Sequence, residues 1–106
     1  MSGRPDRVRL GYRTIKIEWA PPDAMGEDLG SYQGVDRLIR VADGTLRAER
    51  GATLLHEIAH AIYDLYGLRA KDDEERVVEA FATGLSELIT RNPDLIDWLK
   101  EQLADG

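Results

Sequence analysis

The chain has 106 residues, 42% of them hydrophobic, enough for one core that buries about two-thirds of the surface exposed by the unfolded chain. There is no cysteine, which excludes disulfide staples and fits a reducing compartment. Net charge is −6, with nine Lys/Arg against eight Asp/Glu in residues 1–53 and five against twelve in residues 54–106, and that acidic second half argues against nucleic acid as a partner.

Met1-Ser2-Gly3-Arg4-Pro5 is polar and basic with no apolar run behind it, and nowhere do roughly 18 uncharged apolar residues occur together. These features predict neither a signal peptide nor a membrane span, and hence a soluble cytoplasmic protein. From Val8 to Trp19 apolar residues alternate as Val8, Leu10, Tyr12 and then Ile15, Ile17, Trp19. The change of face near Arg13-Thr14 predicts one strand with a bulge, or two short strands. Arg4, Arg7, Arg9, Arg13 and Lys16 then read as the solvent side of a strand. Ala20 to Gly30 is a loop by composition, and Tyr32 to Ala42 predicts a second β segment with Leu38, Ile39 and Val41 as its apolar part.

Asp43-Gly44-Thr45 predicts the end of that segment and the cap of a helix running from about Thr45 to Leu65, with no proline and one internal glycine, Gly51. After Gly67 a second helix is expected from about Asp72 to Arg91, with Asp72 and Glu75 in capping-box spacing and acids against the positive end of the helix dipole. Asn92-Pro93 predicts an N-cap and first-turn proline for a third helix reaching about Ala104, with Leu95, Ile96, Leu99 and Leu103 as its buried stripe. The expected fold is α+β: a single domain over residues 1–106, with a small N-terminal antiparallel β-sheet followed by three helices.

The only two histidines, His56 and His60, lie four residues apart in Thr53-Leu54-Leu55-His56-Glu57-Ile58-Ala59-His60-Ala61-Ile62. This is the H-E-x-x-H spacing. On a helix, residues i and i+4 project from one face a turn apart, so two imidazoles can reach a single zinc ion at about 2.0–2.1 Å each. Glu57, rotated off that pair, is placed to act as general base on a metal-bound water. With Leu55, Ile58, Ala61, Ile62 and Leu65 around the rest of the circumference, the helix reads as buried nearly all round, where unpaired polar groups cost a few kcal/mol. The bland alternative is two satisfied histidines beside a capping glutamate.

A catalytic zinc usually takes three protein ligands and one water. With no further histidine and no cysteine, a carboxylate must supply the third, from among Asp64, Asp72, Asp73, Glu74, Glu75 and Glu79. If Val77, Val78, Phe81, Leu85, Leu88 and Ile89 form the buried face of the second helix, Glu75 lies at its edge in line with Ala82, small enough to let two helices approach. Glu75 ranks first, Glu79 second and Glu74 third; a capping role for Glu75 competes with ligation.

Taken together, the two β segments, the His56–His60 motif, Glu74-Glu75-Arg76-Val77-Val78, and Gly84-Leu85 through Asn92-Pro93 resemble the small zincin-like metallopeptidases of phages and bacterial mobile elements, relatives of the ImmA/IrrE metallo-endopeptidases. The resemblance spans roughly residues 30–100, and Val77 departs from the E-A-N-x-F-A form of the larger relatives when Phe81-Ala82 are matched. It implies a minimal zincin-like fold, Zn2+ held by His56, His60 and a glutamate from 74–79, and Glu57 as base in hydrolysis of a peptide or protein substrate. Tyr63, Tyr12 or Tyr32 would be available to a developing oxyanion, although tyrosines at such positions are more often core. An exposed edge between Tyr32 and Ala42 would hold an extended substrate by strand addition. Two other readings stay open: a catalytically weak or inactive regulatory or binding protein of phage or mobile-element origin, and a zinc hydrolase acting on something other than peptide.

Overall fold

The computed structural model describes residues 3–26 and 28–104; Met1, Ser2 and Glu27 of the segments discussed above lie outside the described residues. The elements in order are β1 (Arg7–Leu10), β2 (Arg13–Ala20), a single 3-10 turn (Pro22–Ala24), β3 (Gly30–Gln33), β4 (Leu38–Ala42), α1 (Arg47–Leu65), α2 (Glu74–Arg91) and α3 (Pro93–Ala104). The four strands form one sheet in the order β1-β2-β4-β3.

Each expected β segment is a hairpin. β1 and β2 pair antiparallel with Leu10 opposite Arg13, so the change of face near Arg13 is a two-residue turn at Gly11-Tyr12 and not a bulge. Gly11 has φ +61°, the left-handed value that a type II′ connection needs at its first position and that glycine adopts without strain. β3 and β4 pair antiparallel as well, with Tyr32 opposite Ile39. The central pair β2 and β4 is parallel, Ile17 opposite Ile39, so the sheet is mixed and the expected all-antiparallel sheet is corrected. The cause is the excursion after β2: residues 21–29 carry the chain past the position of β4 to the far edge, where β3 forms, and β4 returns into the gap beside β2.

Side chains of Val8, Leu10, Ile15, Ile17, Ile39 and Val41 alternate onto one face and are buried there. All three helices cover that face, with α1 against β3 and β4, α2 against β1, and α3 against α1. The opposite face carries Arg7, Arg9, Thr14 and Lys16, all exposed. α3 buries Leu95, Trp98, Leu99 and Gln102. Trp98, absent from the expected stripe, packs against Trp19 with ring centroids 5.3 Å apart, while Leu103 is left partly in solvent.

α1 begins later than Thr45. Leu46 occupies the N-cap position and no side chain caps the helix, because the Asp43 carboxylate is taken by the Gly44 amide and by Arg4 and Arg50. α2 is capped by Asp73, whose Oδ1 accepts from the Arg76 amide at 2.9 Å; Asp72 instead pairs with Arg76 and accepts from the Arg69 amide. The buried face of α2 also differs from expectation. Ala80, Gly84 and Leu88 are its buried residues, and Val78, Leu85 and Ile89 stand exposed. Close approach is set by the smallest residues: a Cβ on Gly84 would lie 2.7 Å from Ile62 Cγ2. Leu88 and Phe81 pack on the core as expected, whereas Val78, Leu85 and Ile89 are turned to the flank and Ala82 is exposed rather than at the helix contact.

Asn92 is buried (8% exposed) at the junction of α2 and α3. It does not cap α3 with its side chain. Its Oδ1 accepts from the Arg9 amide at 2.7 Å, and its Nδ2 donates to the carbonyls of Arg9 at 2.8 Å and Leu88 at 3.1 Å. One amide thus satisfies the outward backbone groups of the β1 edge and an end carbonyl of α2. Asn92→Ala removes three hydrogen bonds at a buried junction, and a loss of about 2–3 kcal/mol in urea unfolding is expected; a change below about 0.5 kcal/mol would show that this junction is not holding β1.

Candidate metal centre

His56, Glu57 and His60 all lie on α1, and the helix separates them by environment. Leu54, Glu57, Ile58, Ala61 and Ile62 face the sheet and are buried, whereas His56, His60, Tyr63 and Asp64 face solvent. The expectation of a helix buried all round is corrected on this point: the imidazoles are exposed and the glutamate is the buried member. The two rings turn toward each other, with centroids 4.8 Å apart and planes at 75°. Their Nε2 atoms are 3.1 Å apart. That distance accommodates one shared proton, and it is also close to the about 3.3–3.4 Å between two nitrogens that each lie 2.0–2.1 Å from one tetrahedral ion. Two of the donors that a zinc site requires are therefore already convergent.

Glu57 is only 6% exposed and makes no side-chain hydrogen bond or ion pair among the described residues. What buries it is β3. A Cβ on Gly30 would come within 2.9 Å of Glu57 Oε2 and 2.6 Å of Thr53 Cγ2, so the strand backbone lies directly on the carboxylate. At the other end of β3 a Cβ on Gly34 would lie 2.7 Å from Asp64 Oδ2. Between the two glycines, the Tyr32 hydroxyl donates to Asp64 Oδ2 at 2.7 Å. Burial, and then this bond to a carboxylate, push the Tyr32 phenol up to about 12, so it remains protonated and engaged throughout the neutral range. Tyr32, a candidate for the oxyanion, is instead held by Asp64; Gly30 and Gly34 were not candidates from the sequence. Their signal is a glycine on either side of Tyr32, one opening β3 and one just past its end, which marks a backbone that approaches a neighbour closely.

Two depressions open on either side of Glu57. One is lined by Tyr32, Gly34, His60, Tyr63 and Asp64, the other by Asp28, Leu29, Gly30, Glu49, Ala52, Thr53 and His56, with Glu57 common to both. The acids expected to complete the ligand set are placed elsewhere. Taking about 100° per residue, Glu75 lies about 180° around α2 from Gly84, the residue that touches α1, and about 13 Å before it along the axis. Glu79 is likewise turned away, and Glu74, Glu75 and Glu79 are all exposed. No group of three or more His, Cys, Asp or Glu able to hold a metal is found among the described residues. Asp64, one turn beyond His60, is committed to Tyr32.

Two outcomes follow from this geometry. Gly30→Ala should cost about 1–3 kcal/mol of stability in urea unfolding because the added methyl meets Thr53 and Glu57, and Thr53→Ala in the same chain should restore part of it; an unchanged midpoint would show a looser strand than this one. Glu75→Ala should leave zinc affinity within about threefold of the parent in a competition titration, while His56→Ala or His60→Ala lowers it by at least about 100-fold. A tenfold or greater loss in Glu75→Ala would show that the first turn of α2 swings onto the imidazoles when the ion binds. No family model, curated protein or solved structure matches this chain.

Proposed function

We propose that this chain is a zinc-dependent metallopeptidase of the zincin-like type, with His56 and His60 holding the ion and Glu57 acting as general base. The observation that carries this reading is the state of Glu57: a buried carboxylate, without a partner among the described residues, beside two convergent imidazoles. A largely covered carboxylate that no side chain among the described residues engages, yet that reaches two surface depressions, is free to act on a bound molecule. When bound, the metal supplies a Lewis acid that polarises a scissile carbonyl and brings the pKa of water toward neutrality.

The chain's own groups supply the rest. Glu57, open to both depressions, takes a proton from the attacking water and returns it to the leaving amine. Gly30 packs against its side chain from the β3 side and leaves the carboxylate accessible from the two depressions. β3 is an edge strand. Leu29 and Ala42 share a backbone bond, so in this antiparallel ladder Gly30 and Tyr32 turn their amides and carbonyls outward. An extended peptide added there would run beside His56 and His60. Of the three tyrosines considered for the oxyanion, Tyr12 is 89% exposed in the β1–β2 turn and Tyr32 is held by Asp64. Tyr63 lines the depression next to His60 and is assigned that role here.

The second reading, a zincin-like binding or regulatory protein with weak or no activity, is favoured by the missing third ligand among the described residues. One experiment separates the two. Zinc content of protein purified without added metal should be near one per chain, and Glu57→Gln should retain it while hydrolysis of an unfolded protein substrate falls by about 100-fold or more. Zinc bound with no hydrolysis by the parent chain would favour the regulatory reading; hydrolysis undiminished in Glu57→Gln would remove Glu57 as the base.

A further inference from the structure

The two depressions beside Glu57 differ in how their charges are matched. On the His60 side, Asp64 receives the Tyr32 hydroxyl, and Arg13 lies within Coulombic reach of it. On the His56 side, the depression of about 460 Å³ carries the carboxylates of Asp28 and Glu49, and no lysine or arginine lines it. Neither acid makes an ion pair or a side-chain hydrogen bond among the described residues. Elsewhere on the surface ion pairs join Glu18 with Arg40, Asp43 with Arg4 and Arg50, and Asp72 with Arg76. Unmatched negative charge at the site is thus concentrated on one side of the imidazole pair, next to the buried, unpartnered Glu57.

The rest of that depression's lining is apolar or small: Leu29, Gly30, Ala52 and Thr53. Glu49 precedes His56 by seven residues, two turns and about 10 Å along α1. A depression lined by apolar and small residues together with two carboxylates matches a side chain with an aliphatic stem and a cationic head. We propose that this depression is a subsite for a lysine or arginine side chain of a polypeptide lying extended along β3, with Asp28 and Glu49 as the residues that select it. The proposal rests on the peptidase reading for the placement of the backbone along β3, and it adds the substrate class: segments carrying a basic residue.

The selection should be modest and salt-dependent, since both carboxylates are exposed. The test is binding of labelled unstructured peptides, identical except for one central Lys, Arg, norleucine or Glu, to the zinc-loaded Glu57→Gln protein, read by fluorescence anisotropy. The Lys and Arg peptides should bind about tenfold more tightly than norleucine at low salt and the Glu peptide more weakly still. The advantage should shrink in high salt, vanish in Asp28→Asn/Glu49→Gln, and turn toward the Glu peptide in Glu49→Lys. Both positions are on the surface, so neither variant disturbs the core. Equal affinities, no binding, or a preference that survives the double variant would overturn the subsite. Hydrolysis by the parent chain, followed separately, keeps the two readings apart: cleavage without a basic preference removes the subsite alone, and basic preference without cleavage removes the peptidase while sustaining the subsite.

Discussion

The site depends on one contact, the bare backbone of Gly30 lying on the side chain of Glu57. A side chain at this strand position would meet Thr53 and Glu57 and press β3 away from α1. With glycine at that point the strand closes over the acid while leaving His56 and His60 in solvent. The helix contributes by periodicity alone: residues 56 and 60 share a stripe, and residue 57, about 100° away, falls on the face that packs. One helix and one glycine thus set a largely covered acid beside two exposed imidazoles.

Much of this was legible in the chain. Alternation placed the strands, the apolar spacing placed three helices, and the two histidines could only be read as a pair. The parts that were not legible share a cause. Hydrophobic periodicity weights residues by size, whereas the packing of α2 is decided by Gly84 against Ile62 and that of α1 against α3 by Gly51, whose Cβ would sit 3.1 Å from Gln102 Cβ. The projected face of α2 was consequently turned toward Val78, Leu85 and Ile89, and Glu75 with it. The parallel pairing of β2 with β4 was hidden for a different reason: it depends on where a nine-residue connection leads, and no local pattern records that. Asn92 reads as a helix cap by its position before Pro93, yet its amide is spent on β1, a long-range bond that local sequence does not announce.

The charges follow the same division between local and long-range order. The run of acids at the start of α2 serves that helix: Asp73 caps it and Asp72 pairs across one turn with Arg76. Asp28, from the loop before β3, and Glu49, in the first turn of α1, are brought together only by the fold, because β3 lies along α1. Long-range order also pairs Asp64 with Tyr32 and Asp43 with Arg4, whereas Asp28 and Glu49 meet in one depression without a basic residue in its lining.

The two borders of the sheet are unequal. At β1 the outward amide and carbonyl of Arg9 are already occupied by Asn92, and exposed Arg7 and Arg9 add like charge along that border. Open-ended stacking of copies, as in fibrils, needs a donor border and an acceptor border on every molecule. With the outward groups of Arg9 already bonded, β1 is the less available of the two borders for pairing with a further strand.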